Sequence, residues 1–401
     1  MQICKTYSQI CKNRRNKGSI TIFFATFAGV MLQELFIALP MFICGMMSVE
    51  ILLSWRRNPV VAKLWLLVWS VTAFVLYIGH FVFFCRQLSL VPAVDTAYVA
   101  CNLAVYPLYL IYIYKLTVPQ VPRVLLWTLA LPVIMGVAVG VHYLLMSPGE
   151  TAHFVDEYLY HDRRDGQTGL AAMQVGLHVI AKVAFAVEVT GVVLIGTHRI
   201  KKYNQMIEQL YADTEGKALY SIHTILVLLL CTSVVSFVVN IIGKAFFADS
   251  PWMLVAGALL FSILLFAIGW EGQHQHFSIA DIQPEHAEGA DESMPDVVMK
   301  VQQQQTLRDQ LVLLMEQERP YLNADLKLDD LAKRLGTNRT YLLRTMSDEL
   351  HMTFSEYVNR QRIAYAKRLM ECRPNFSKAE VAQLSGYASL SSFYRNFKQY
   401  A

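Results

Sequence analysis

The chain has 401 residues, of which 55% are hydrophobic and only 16% charged, a balance too apolar for an ordinary soluble protein. The formal net charge of +4 hides a segregation: residues 271–300 are acidic, whereas 327–398 carry more Lys and Arg than Asp and Glu, as expected of a segment with an anionic partner. The seven cysteines have no CxxC or paired spacing, which argues against a disulfide framework and a zinc site; no metal and no cofactor are expected.

Residues 1–30 form a basic segment, with Lys5, Lys12, Arg14, Arg15 and Lys17. Two readings fit it: translation from Met31, or a signal-like segment, although no A-x-A site follows. Seven apolar stretches come next, near 35–53, 64–84, 96–114, 124–146, 170–196, 220–242 and 251–270. A spanning helix needs roughly 20 apolar residues for a hydrocarbon core of about 30 Å, so 31–270 is predicted to be a seven-transmembrane helix bundle. Loops holding Arg56, Arg57, Lys63, Lys115, Arg123, Arg199, Lys201, Lys202 and Lys217 alternate with loops poor in such residues, which by the positive-inside rule puts the C-terminus in the cytoplasm. The expected location is a bacterial-type cytoplasmic (inner) membrane.

Polar residues inside spans are costly and are candidates for function. They include Glu50, Asn102, His142, Gln174, His178, Lys182, Glu188, His223 and Asn240. Lys182 lies midway along the fifth span with His178 one turn away on the same face; Glu188 is about 240° around the helix and cannot pair with it. A carboxylate from another span, such as Glu50, or an anionic ligand is the expected counter-ion. A structural ion pair explains Lys182 equally well. The loop 147–168 has the composition of a lid or a signal contact.

Residues 271–300, acidic and broken by Pro284 and Pro295, read as a flexible linker. An apolar stripe follows at Leu307, Leu311, Leu314 and Met315, which either packs on the domain behind it or forms a dimer seam. In LKLDDLAKRLGTNRTYLLRTMSDEL, Leu328, Leu331, Ala332 and Leu335 form a buried face, Gly336 ends the helix and Thr337 can cap the next one. That second helix presents Asn338, Arg339, Thr340 and Arg344. The same grammar recurs in FSKAEVAQLSGYASLSSFYRNFKQY, with Gly386 at the turn, Ser389 as cap, and Ser391, Ser392, Arg395 and Asn396 presented. Two such units in tandem are two helix-turn-helix motifs, each offering its second helix to a DNA groove. Between them an amphipathic helix of about 19 residues, 354–372, is about 28 Å long, close to the roughly 34 Å that separates major grooves on one face of a duplex. Its Arg360, Arg362 and Lys367 are candidates for phosphate contact, or a solvated helix face.

The stretches LDDLAKRLGTNRTYLLR, RIAYAKRLM and VAQLSGYASLSSFYRNFK make residues 306–401 resemble the DNA-binding domain of the AraC/XylS family. The resemblance implies sequence-specific promoter binding, with RNA polymerase as a partner. Family members continue past the last recognition helix with a Gly and a Ser-Pro or Thr-Pro element, whereas this sequence ends at Ala401, so either a truncated carboxy terminus or the absence of the final packing helix is expected. The expected fold class is all-α: a seven-transmembrane helix bundle followed by a soluble all-helical domain (301–401) with two helix-turn-helix motifs. The expected function is a one-component, membrane-bound transcriptional regulator that answers an unidentified signal, with double-stranded DNA and the lipid bilayer as partners and a homodimer as one possible state. The alternative is a transporter or membrane receptor with a regulatory DNA-binding tail. HExxH, GxSxG and phosphate-binding Gly-rich patterns do not occur, so no enzyme is expected.

Overall fold

A computed structural model of the chain describes residues 17–242, 251–275, 277–282 and 297–401, with backbone alone at 17–31, 231–232, 235–242, 251 and 297–306. The basic stretch 1–16, half of the acidic linker, including its His276 and His286, and the side chain of Asn240 lie outside the described residues. The chain divides into two compact units, Met1–Thr197 with Ser221–His274, and His198–Tyr220 with Gln275–Ala401. Residues 198–220, assigned from sequence to the apolar bundle, thus group with the C-terminal unit.

In the first unit the long helices are α1 (Lys17–Arg57), α2 (Val61–Phe84) and α3 (Val91–Thr117). A broken fourth span follows, α4 (Arg123–Trp127) and α5 (Ala130–Leu145), then the short α6 (Pro148–His153). The last three are α7 (Gly169–Leu210), of which the part from His198 belongs to the second unit, α8 (Tyr220–Ile242) and α9 (Pro251–His274). Six helices among the described residues are long and apolar enough to cross a membrane. The expected sixth span falls on α8, whose Tyr220–Leu230 part counts as a shorter apolar helix. Large apolar side chains such as Val133, Leu144, Val187, Leu194, Trp252 and Ile263 face outward. That is the reverse of a soluble surface and suits a hydrocarbon solvent, in which only helices satisfy their own backbone.

The 147–168 segment is ordered by a capping box at Ser147 and Glu150 and by a π-helical turn, Phe154–Tyr160. Phe154, Val155, Tyr158 and Leu159 are buried against Val91, Met146 and Ala171. Two hydrogen bonds from Ser147 hold the exposed Glu150 carboxyl below the usual carboxylate range.

The second unit contains α10 (Val297–Gln317), α11 (Leu328–Arg334), α12 (Arg339–Asp348), α13 (Phe354–Cys372), α14 (Lys378–Leu384) and α15 (Leu390–Tyr400). It has two cores. Leu311 and Met315 of the α10 stripe join Leu328, Leu331, Leu342, Met346, Phe354 and Val358 in the first. Ile363, Ala366, Val381, Ala382, Tyr387 and Phe393 form the second. α13 therefore serves both, its N-terminal half closing one core and its C-terminal half the other.

Candidate nucleic-acid interface and apolar cavity

Each reading helix begins where the local sequence can turn. Gly336 takes φ 62° and Gly386 φ 84°, the left-handed region that glycine enters at little cost. At Gly386 the backbone is also crowded: a Cβ there would lie 2.5 Å from the Tyr321 carbonyl oxygen. Asn338, rather than the expected Thr337, caps α12 by accepting from the Tyr341 amide at 3.0 Å. Ser389 caps α15 as expected, accepting from the Ser392 amide at 3.0 Å.

On α12, Leu342, Thr345 and Met346 are buried, while Asn338, Thr340 and Arg344 are exposed. Arg339 is half-buried beside Tyr211 and Asp329, and burial lowers the pKa of its guanidinium. On α15, Ser391 and Arg395 are exposed, but Ser392 and Asn396 are buried at 0% and 7%. Asn396 donates to the Ser392 carbonyl at 2.9 Å.

On α13 the three basic residues part company. Arg362 is not available to a phosphate: it is fully buried, donates to the carbonyls of Tyr321 and Asn323 at 2.7 Å each, and stacks 5.3 Å from the Tyr387 ring. It ties the turn at 320–323 to the second motif. Arg360 is exposed and pairs with Glu356 at 2.8 Å. Lys367 donates to the Ala401 carbonyl at 2.8 Å.

The segment 211–215, between α7 and α8, lies on this unit. Tyr211 bridges Lys327 and the Ala212 amide donates to Leu326 at 3.3 Å. The Ala212 carbonyl accepts from Asn359 at 2.9 Å and Ser355 at 3.1 Å, with its side chain buried in the first core. Asp213 accepts from the Ser392 hydroxyl at 2.9 Å and stands 3.9 Å from Arg395. Glu215 accepts from the hydroxyls of Ser389 and Ser391. Sequence reasoning missed this pair; the signal available was an acidic Asp-Thr-Glu in a loop that follows the basic Arg199, Lys201 and Lys202.

The first unit encloses a cavity of about 1050 Å³ with mainly apolar walls. His178 and Lys182 both line it, as their shared helix face predicts; Glu50 is exposed and Glu188 half-buried, and neither is on the lining. His178 bonds Asp95 through Nε2 at 2.8 Å and the Gln174 carbonyl through Nδ1 at 2.9 Å. Tyr143 donates to the same Asp95 oxygen at 2.8 Å. Lys182 stands 3.9 Å from Asp162 and 5.6 Å from the centre of the Tyr158 ring. Its counter-ion in the structure is thus a carboxylate of the 147–168 segment and not Glu50. Asp95 escaped notice because it lies one residue before the expected span, although its helix begins at Val91.

Residues 331–401 match the helix-turn-helix domain family. The Msm operon regulatory protein of Streptococcus mutans is 29% identical over 77 residues, 19% of this chain and 27% of that protein. The match spans about a quarter of that relative's length. No solved structure matches the chain. Paired turn glycines, two capped reading helices and a shared central helix fit that family match: residues 331–401 are an AraC-type helix-turn-helix domain, in a chain whose preceding helices are apolar enough to be membrane spans.

Proposed function

We propose that the chain is a membrane-bound, sequence-specific DNA-binding transcription regulator, a one-component sensor whose bundle, 31–270, detects a signal and whose cytoplasmic domain, 301–401, binds promoter DNA. The observation that supports this best is the pair of capped helices α12 and α15 held by one strut, α13, in a chain that also carries six membrane-length apolar helices. An operon regulatory protein among its relatives supports a regulatory role. RNA polymerase and a second copy of the chain are partners that the family resemblance implies. Binding of the full chain, in lipid nanodiscs, to a duplex of about two helical turns enriched from a random pool tests the reading. Equal affinity for enriched and random duplexes overturns it.

The signal site that fits best is the cavity. Apolar walls including Phe83, Phe84 and Phe185 meet the polar lining residues Asp95, His178, Lys182, Asp162 and Arg164. Such a site suits an amphiphile with an apolar body and an anionic head, which would exchange the Lys182–Asp162 contact for its own. Lys182→Met should leave membrane abundance normal and lock a promoter reporter in one state across the inducing condition. Normal abundance with an unchanged response removes Lys182 from the mechanism.

A further inference from the structure

The hydroxyls that α15 would offer to DNA are already in use. Ser389 and Ser391 each donate their single proton to Glu215, and Ser392 donates its own to Asp213, so none can donate to a phosphate or a base edge at the same time. Arg395 lies 3.9 Å from Asp213. Carboxylate oxygens accept from the hydroxyls, and attract the guanidinium, as phosphate oxygens would, at a helix N-terminus that favours negative charge. Nor is the segment a loose strand touching the helix by chance. Its backbone pairs with Leu326, its Ala212 carbonyl takes bonds from Asn359 and Ser355, and the Ala212 side chain has no exposed surface.

We propose that residues 211–215 are a built-in competitor for DNA: Asp213 and Glu215 occupy the anion-accepting end of the second recognition helix, and the duplex gains it only when the segment leaves. The inference rests on α15 being a DNA-reading helix. Two effects exclude simultaneous occupancy, the spent hydroxyl protons and the repulsion between two carboxylates and the phosphate backbone. The tether makes the competition strong, because a segment held by a short connection acts at an effective concentration in the millimolar range. It also gives the signal a route. The segment is the direct covalent continuation of α7, the helix that carries His178 and Lys182. A displacement of the end of α7 changes how well the segment reaches its seat, where Ala212 shares a core with Leu342 and Met346 of α12.

The test uses the full chain in nanodiscs and a duplex of about two turns enriched from a random pool on the D213N/E215Q chain. Relative to the unaltered chain, D213N/E215Q is expected to bind that duplex at least about tenfold more tightly. A charge-matched control, D348N/E349Q at the far end of α12, is expected to change affinity less than about twofold. Arg344→Ala should lower the preference for the enriched duplex by roughly 5- to 150-fold in either background. Equal gains from the two acidic pairs, or no gain from D213N/E215Q while Arg344→Ala still lowers the preference, overturns the competitor and leaves the DNA-binding reading standing. Failure of every form, D213N/E215Q included, to prefer any duplex overturns both.

Discussion

The two helix-turn-helix units are built from one grammar and end in different states. In the first, α12 buries Leu342, Thr345 and Met346 and leaves Asn338, Thr340 and Arg344 exposed. In the second, α15 buries Phe393, and Asp213 and Glu215 take the hydroxyls at its N-terminus; Ser392 is as buried as a core residue, while Ser391 and Arg395 remain exposed. Their glycines differ in the same sense. Gly336 has open space where a Cβ would go, whereas Gly386 is wedged against the backbone of Tyr321 and Leu322. Local sequence sets the helix, turn and cap; what lies across the finished surface decides which polar groups of a reading helix are engaged.

The contrast is broken most severely at the turns. Gly386→Ala must adopt φ 84° and place a methyl group 2.5 Å from a carbonyl oxygen. It should destabilise the second unit by more than about 3 kcal/mol, against about 1 kcal/mol for Gly336→Ala, where the conformational cost stands alone. Hydrogen exchange on the full chain, which follows α14 and α15 separately from α11 and α12, checks this; equal losses of protection would mean that the wedge relaxes freely. Next comes the central helix. Arg362→Ala removes a buried guanidinium from two carbonyls and should cost about 3 kcal/mol of stability. Arg360→Ala should leave the fold intact and flatten the salt dependence of DNA binding by about one unit, the signature of one lost phosphate contact. A folded Arg362→Ala chain with a flattened salt slope would restore Arg362 as a phosphate contact. The smallest effect sharpens the comparison directly. Arg344→Ala should cost about 1 to 3 kcal/mol on a preferred duplex if it pairs with a guanine edge, and Arg395→Ala less than that while Asp213 faces it. Titrations of the two variants on one duplex decide the order.

Much of this architecture is written locally and was legible. Runs of apolar residues announced the long helices, and Gly336, Gly386 and Ser389 announced the two turns and one cap. The cap on α12 went to Asn338 and not Thr337 because both residue types can cap, and only the backbone conformation after Gly336 selects between them. Arg362 was misread for a different reason. It lies four residues after Val358 and four before Ala366, all three with no exposed surface, so the apolar stripe of α13 runs straight through it. Read by charge alone it looked like a surface residue; read by position it belongs to the interior. The Lys182–Asp162 and Asp213–Ser392 contacts were beyond reach of the pattern, because a helical period carries no information about which distant loop returns to cover a face. His178 and Lys182 sharing one lining, by contrast, follows from helical spacing alone.

Ala212 ends with a significance that its size conceals. It has no exposed surface and sits among Leu311, Leu328 and Phe354, more than a hundred positions ahead of most of the core it completes. The stretch recognisable by kinship, 331–401, is therefore smaller than the unit that folds. Anyone grafting this reader onto a foreign sensor, or trimming it free as a soluble reagent, would inherit a core with a missing stopper and a recognition helix relieved of its acidic guard. Such a chimera would be a different instrument from its parent: less stable by the burial of one small side chain and its backbone bonds, and no longer silenced from within. The seam along which evolution or an engineer can cut this molecule runs around the 198–220 connection as well as through the linker at His274 and Gln275, which composition alone would choose.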